Sequence, residues 1–183
     1  MKKTVLFIHS AGPQEKEQGS SKLSAYLESE LRDKYQFVIP KMPNPENPEY
    51  VLWKNKLNKE LNMINGELVL IGHSLGGSVL LKYLSEESFN RSLSGLFIIA
   101  APYWGLEDDW KSKDFTLQNN FEKKLPEIPN LFLYHSRNED IVPFTHHKKY
   151  ADKFPQANLR ELEGKQHLFH YGLPVLVSDI ESL

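Results

Sequence analysis

Residues 69–78 constrain the fold more than any other part of the chain. They form an apolar run that ends in Gly-x-Ser-x-Gly, and a helical spacing of apolar residues begins directly after it. A strand that turns into a helix within so few residues crowds the backbone, so glycine is needed where the two elements meet. The sequence therefore predicts a strand, a tight turn that exposes Ser74, and a helix.

Such a turn places a serine hydroxyl beside the first amides of the following helix, which have no partner inside that helix. We therefore interpret Ser74 as a nucleophile and the backbone amide of Leu75 as a donor to an oxyanion that forms during the reaction. Gly-x-Ser-x-Gly alone is a short pattern that also occurs by chance. Its weight here comes from the apolar run before it and the helical pattern after it.

Short apolar runs recur along the whole chain, and most of them do not alternate with polar residues. Such runs are typical of strands that are buried on both faces of a parallel sheet. Helical patterns lie between several of them. We predict an α/β fold with a doubly wound, mostly parallel sheet of about six strands between two layers of helices. The runs are residues 5–8, 37–39, 68–71, 96–100, 131–134 and, more weakly, 158–162.

Length and composition favour one domain over residues 1–183 and exclude several classes of function. The net charge of -2 leaves no excess of Lys and Arg to bind nucleic acid or an anionic membrane. No segment approaches transmembrane length. The absence of cysteine excludes disulfides, thiolate metal sites and a cysteine nucleophile, and fits a cytoplasmic location. We expect a small-molecule substrate and no cofactor; a protein partner is not indicated.

A serine nucleophile needs a base to take its proton and an acid to orient that base. In enzymes whose nucleophile lies on a strand-to-helix turn, the acid and then a histidine follow later in the chain. Asp140, in the polar turn after the run 131–134, is the predicted acid. Glu139 and Asp114 are weaker alternatives.

His167 is the predicted base, because it lies in a short loop after the last apolar run. His170 is the alternative if the register of that loop differs. His146 and His147 fall at the start of a probable helix, where we expect solvated or capping side chains. This adjacent pair has no third ligand at useful spacing, so no metal is expected.

The second donor to the oxyanion should come from the loop after the first strand, with Ala11 as first choice and Ser10 as second. His9, at the end of that strand, is expected to organise the loop by hydrogen bonding. Long loops after parallel strands are where ligands bind. The loop after residue 100 carries Tyr103, Trp104 and Trp110, which would form an apolar wall. The expected pocket residues are His9, Met42, Tyr103 and Trp104.

Four motifs together resemble those of the α/β-hydrolase superfamily. The short length and the Met42-Pro43-Asn44-Pro45 loop more narrowly resemble those of the small serine-hydrolase family that includes YdeN-type proteins and the retinoblastoma-binding serine hydrolase. The resemblance spans nearly the whole chain and implies a trimmed core without a large cap domain, with Ser74, Asp140 and His167 as the triad. The motifs lie at residues 5–11, 72–77, 138–143 and 165–167.

The predicted activity is hydrolysis of small carboxylic esters through an acyl-enzyme. A core of 183 residues with only loops over the site should leave a shallow pocket, which favours short acyl chains. A thioesterase or an amidase would use the same residues. A protein-interaction module that binds through loop 40–48 or the Trp104 region is the alternative from another class, because a fold does not fix a function.

Overall fold

Six parallel strands form one sheet in the computed structural model, which describes residues 2–164 and 166–183. Their order in the sheet is β2-β1-β3-β4-β5-β6, and every neighbouring pair is parallel. The predicted α/β fold with a central sheet of about six strands is therefore confirmed. The strands are β1 (Lys3–Ile8), β2 (Tyr35–Val38), β3 (Leu68–His73), β4 (Leu93–Ile99), β5 (Leu131–Ser136) and β6 (Asn158–Leu162).

Five helices connect the strands or follow them. In the described part of the chain, none of them is both long and apolar enough to cross a membrane. Two short 3-10 turns, Asp108–Trp110 and Phe121–Lys123, lie in the long connection between β4 and β5. The helices are α1 (Ser21–Leu31), α2 (Tyr50–Met63), α3 (Leu75–Glu86), α4 (Phe144–Lys153) and α5 (Pro174–Glu181).

The sheet has an apolar core on each face, which explains why its strands do not alternate in sequence. Side chains of α1 and α5 pack on one face, and those of α2, α3 and α4 pack on the other. Successive residues of β1 point to opposite faces, so that Leu6 joins one core and Phe7 the other. Both residues are fully buried.

Because all six strands run in the same direction, their carboxyl ends meet at one edge of the sheet. The loops that follow β1, β3, β4, β5 and β6 leave from this edge. Ligands bind at this edge in open α/β sheets. The fold therefore gathers the predicted site residues from distant parts of the sequence.

Candidate active site

Ser74 occupies a strained turn between β3 and α3. Its backbone has φ 52° and ψ -121°, a conformation that residues with a side chain rarely adopt. The amide of Ser74 donates to the carbonyl of Ile99 at the end of β4, at 2.8 Å. This bond ties the turn to the neighbouring strand and holds the serine at the carboxyl edge of the sheet.

Glycines on both sides of Ser74 allow close backbone approach. A Cβ atom at Gly76 would lie 2.3 Å from the carbonyl oxygen of Ile8 and 2.6 Å from that of His9. At Gly72 it would lie 2.6 Å from the backbone of Gly77. The first contact presses the start of α3 against the end of β1, so the two loops that carry the predicted oxyanion donors are fixed relative to each other.

Ser74 and His167 line the same cavity, which has a volume of about 260 Å³. His167 is buried, with 6% of its surface exposed. Among the residues that the structure describes, Ser74 makes no side-chain hydrogen bond, so its hydroxyl is available to a substrate. The hydrogen bond between nucleophile and base is often loose or absent until a substrate is bound.

Glu139 is the carboxylate that contacts His167. Its two oxygens lie 2.9 and 3.1 Å from Nδ1 of the histidine. The carboxylate also accepts hydrogen bonds from the amide of Val142, at 2.7 Å, and lies 3.3 Å from Nε2 of His135. With Nδ1 donating to Glu139, Nε2 of His167 is left without a proton, which is the form that a general base requires.

The pKa of Glu139 reflects this environment. Burial alone would raise the pKa of the carboxyl, but the contacts with His135 and His167 outweigh burial and lower the pKa to about 2. A carboxylate that stays charged stabilises the imidazolium that forms when His167 takes a proton.

Of the two neighbouring carboxylates, the structure brings Glu139 into contact with His167, whereas the sequence predicted Asp140 there. Asp140 is exposed to solvent, whereas the side chain of Glu139 is fully buried against His167. The physical reason is the turn after β5, in which the amide of Val142 caps the carboxylate of Glu139 and directs it inward. Asp114 lies elsewhere and accepts a hydrogen bond from the amide of Tyr50 at the start of α2.

Two side chains hold the loop that carries His167. His73, the residue before Ser74, donates from Nε2 to the carbonyl of His167 at 2.7 Å. Ser136, at the end of β5, donates to the carbonyl of Gln166 at 2.8 Å. Burial, and after it the proximity of His167, lowers the pKa of His73 to about 3, so this ring stays neutral. Sequence reasoning missed both roles, because neither bond has a local signal.

The loop after β1 distinguishes between the two predicted oxyanion donors. The amide of Ser10 donates to the hydroxyl of Ser20 at 2.8 Å, so it is not available to a substrate. Ala11 and Leu75 line the cavity beside Ser74, and their amides remain the candidates for the oxyanion. Ser20 precedes α1, but its hydroxyl makes no capping bond to that helix and is used by the loop instead.

His9 organises this loop, as expected from the sequence. Its Nδ1 lies 3.3 Å from the hydroxyl of Ser20. Burial lowers the pKa of His9 to about 4, so the ring is neutral near pH 7. It lies behind the loop and is not among the residues that line the cavity.

The cavity has an apolar lining that the sequence predicted only in part. Trp104 lines it as expected, and so does Trp110. Met42 is buried in the core instead, and Tyr103 packs against Tyr150, with ring centroids 5.0 Å apart. His9, Met42 and Tyr103 are thus corrected as pocket residues. The lining residues missed from the sequence come from four separate segments, namely Pro48, Pro102, Phe115, Ile141 and Leu168.

The two adjacent histidines of α4 are buried, which corrects the expectation that they are solvated. Nδ1 of His146 accepts a hydrogen bond from the amide of Tyr103 at 2.8 Å, and His147 stacks on Phe144. Burial lowers the pKa of both rings, that of His147 to about 4. Over residues 2–164 and 166–183 no cluster of His, Asp and Glu is suited to a metal ion.

A serine on a strand-to-helix turn, with a buried histidine and carboxylate at the same sheet edge, is the arrangement typical of α/β-hydrolase folds. A family model described as serine hydrolase matches residues 20–171, and the chain belongs to that family.

Similar proteins agree with this assignment. YdeN of Bacillus subtilis is 26% identical over 157 residues, which cover 83% of this chain and 82% of YdeN. Its crystal structure superposes with a TM-score of 0.84 at 24% identity, covering 99% of this chain and 98% of the other. The meta-cleavage product hydrolase CumD of Pseudomonas fluorescens has a TM-score of 0.75 at 10% identity, covering 98% of this chain and 91% of CumD, and shares the fold.

Proposed function

We propose that this hydrolase is a carboxylesterase that cleaves small esters through an acyl-enzyme, with Ser74 as nucleophile, His167 as base and Glu139 as the acid. One observation carries the proposal. Ser74 and His167 line one cavity, while a buried and charged Glu139 holds the far nitrogen of His167.

In the first half of the reaction, Ser74 Oγ attacks the carbonyl carbon of the ester and its proton passes to Nε2 of His167. Negative charge develops on the former carbonyl oxygen, where the amides of Leu75 and Ala11 would stabilise it. The tetrahedral intermediate then expels the alkoxide, which takes the proton from His167 and leaves as the alcohol.

In the second half, a water molecule attacks the acyl group bound to Ser74, and His167 takes a proton from that water. His167 then returns the proton to Ser74 Oγ, and the carboxylic acid product is released. Glu139 keeps its charge throughout and compensates the positive charge on His167 in each half of the cycle. The chemistry draws on no group beyond these side chains and amides.

A fluorophosphonate probe tests the nucleophile directly, because it phosphonylates an activated serine. The folded protein is expected to take one label, and Ser74→Ala none. Ser92→Ala is the matched control, since Ser92 is exposed and distant in sequence from the site, and it should label like the parent protein. If the folded parent protein took no label, the proposal would be wrong.

A series of substrates with the same acyl group shows which type of bond the protein cleaves best. Ester, thioester and amide substrates with the same acyl group should be hydrolysed at rates that favour the ester, with 4-nitrophenyl butanoate as the reference. A higher kcat/KM for the thioester would replace the carboxylesterase by a thioesterase with the same triad.

A further inference from the structure

Two separate depressions meet at His167. The first is the cavity of about 260 Å³ that contains Ser74, Leu75 and Ala11. The second is a shallower groove of about 350 Å³ on the other side of His167, lined in part by Phe169, His170 and Tyr171. Ile141, His167 and Leu168 line both and form the ridge between them.

The chemistry of ester cleavage assigns one part of the substrate to each depression. The acyl carbon bonds to Ser74, and its oxygen must reach the amides of Leu75 and Ala11, so the acyl group belongs in the cavity that contains these groups. The leaving oxygen is bonded to the same carbon as Ser74 Oγ and takes its proton from Nε2 of His167, so it stays in the cavity and only the rest of the alcohol can extend across the ridge. Of the two depressions, the groove is the one that His167 borders without Ser74 or those amides, and it can hold that part of the alcohol.

The cavity is built for an apolar ring. Trp104 stands between two aromatic neighbours, with ring centroids 5.4 Å from Trp110 and 5.5 Å from Phe115. No Asp, Glu, Lys or Arg is among the described residues that line it. A charged acyl group would therefore be buried without an oppositely charged partner, and its loss of hydration would cost more free energy than its contacts with the cavity would contribute. The volume is slightly below the range of pockets that hold drug-sized ligands, which fits an acyl group of one ring and a short chain.

The groove has a different character. Tyr171 is 90% exposed, the highest exposure among the large apolar and aromatic side chains that the structure describes, and it lies beside His170 at the rim. An exposed tyrosine has a flat face on which a planar group stacks at little cost in conformational entropy. Ile141, also more than half exposed, lies on the side of the ridge, and Asp140 and Gln166 add polar groups to the lining of the groove.

We propose that the substrate is an uncharged ester whose acyl group carries one aromatic ring that binds against Trp104, Trp110 and Phe115, and whose alcohol lies over Tyr171. The inference rests on the proposed ester hydrolysis and names its substrate class. It departs from the expectation of a shallow site for short acyl chains, because the loop after β4 folds its aromatic side chains over the site.

Two pairs of substrates separate the depressions at constant chemical reactivity. The acyl pair is 4-nitrophenyl butanoate and 4-nitrophenyl 4-phenylbutanoate. The alcohol pair is propyl and 3-phenylpropyl butanoate. In the parent protein the phenyl group should raise kcat/KM about tenfold or more in the acyl pair and about threefold in the alcohol pair.

Substitutions then show which side chain is responsible for each increase in kcat/KM. Trp110→Ala should abolish the gain in the acyl pair and spare the alcohol pair, whereas Trp110→Phe should keep most of it. Tyr171→Ala should abolish only the gain in the alcohol pair, and Tyr171→Phe should keep it. Deacylation involves the same acyl-enzyme for both alcohols, so Tyr171→Ala should leave the deacylation rate of the butanoyl-enzyme unchanged.

The outcomes separate this inference from the proposed function. If no substrate is cleaved and no acyl-enzyme forms, the proposed function fails. If the esters are cleaved but the phenyl group brings no gain in the acyl pair, or Trp110→Ala acts on the alcohol pair instead, the assignment is overturned. Tyr171 is too exposed for its replacement to unfold the chain, and the comparison within the parent protein needs no variant at all.

Discussion

Glu139 holds the ring of His167, and in the proposed mechanism it compensates the positive charge on that ring. Its carboxylate accepts hydrogen bonds from Nδ1 of His167 and from the amide of Val142, and it lies close to His135. Three neighbours therefore fix the position of the carboxylate. An amide in its place would keep the shape of the site and remove the charge. The imidazolium of His167 would then form without compensation, and the ring would no longer be held in one tautomer.

Glu139→Gln should therefore lower kcat by about four orders of magnitude, as loss of charge at this position does in serine enzymes. The matched variant is Asp140→Asn, which removes the same charge at the next residue and should change kcat about twofold at most. The measurement is steady-state hydrolysis of 4-nitrophenyl butanoate, with far-ultraviolet circular dichroism to confirm folding. The reverse order of the two effects would restore Asp140 as the acid.

The sequence could place this acid only to within a residue or two. The run 131–134 and the polar residues after it predicted a strand end with a carboxylate, and both are present. Side-chain direction in a strand follows from its period of two, but the chain leaves that period at Ser136. Beyond it, the direction of Glu139 depends on the turn and on its bond to Val142, neither of which has a periodic signal.

At the scale of elements, the contact between α3 and the end of β1 fixes the positions of Leu75 and Ala11, the proposed oxyanion donors, relative to each other. Gly76 lies where the helix meets the carbonyls of Ile8 and His9. At Gly77 an added Cβ would lie 2.8 Å from the Cβ of Ala101 and 3.1 Å from both the carbonyl oxygen of Gly72 and Cγ2 of Ile98, so its contacts are also tight but longer than those at Gly76.

Gly76→Ala should lower the free energy of unfolding by about 3 kcal/mol, because backbone atoms must move to admit the methyl group. Gly77→Ala should cost less, about 2 kcal/mol, because its nearest contact is longer, and both variants gain equally in helix propensity. Urea unfolding measures the difference. Any folded Gly76→Ala protein should also lose kcat, since Ala11 would be displaced from Leu75; equal stability of the two variants would contradict this account.

Elements were easier to predict than the pocket between them. Unalternating apolar runs identified the inner strands β1, β3, β4 and β5 within a few residues, because burial on both faces imposes that composition, whereas the exposed edge strand β6 gave only a weak run. The cavity, by contrast, is lined from separate loops, and Pro48 and Leu168 are 120 positions apart. The pattern of a single sequence shows local periodicity, but it does not show which loops lie next to each other in the fold.

At the scale of the whole molecule, buried histidines make stability depend on pH. The pKa values of His9 and His147 are lowered to about 4 and that of His73 to about 3, chiefly by burial. In the unfolded chain each ring takes up a proton near its ordinary value of about 6.5. Between these values the unfolded state binds more protons than the folded state, so stability falls as the pH falls.

The free energy of unfolding should therefore drop by 2 kcal/mol or more, as an order-of-magnitude figure, between pH 7 and pH 5. Glu139 contributes only at lower pH, because its stabilisation is lost as the pH falls from about 4.5 towards 2. His147→Phe should flatten the profile, since the ring packs among Phe144 and His135 and its Nε2 has no partner among the described residues. Urea titrations at each pH measure this, and an unchanged slope in the variant would exclude His147 as a contributor.

At the turn that carries Ser74, the conformation that the proposed activity requires lowers the stability of the fold. A side chain held at φ 52° and ψ -121° costs about 1 to 3 kcal/mol, which the rest of the fold must offset. Ser74→Gly removes that strain, whereas Ser74→Ala keeps the Cβ atom and therefore the strain. In thermal unfolding the glycine variant should be more stable than the alanine variant by about 1 kcal/mol, although both lack the nucleophile. Selection for stability alone would thus remove the serine, and its presence at this position reflects a trade of stability for reactivity.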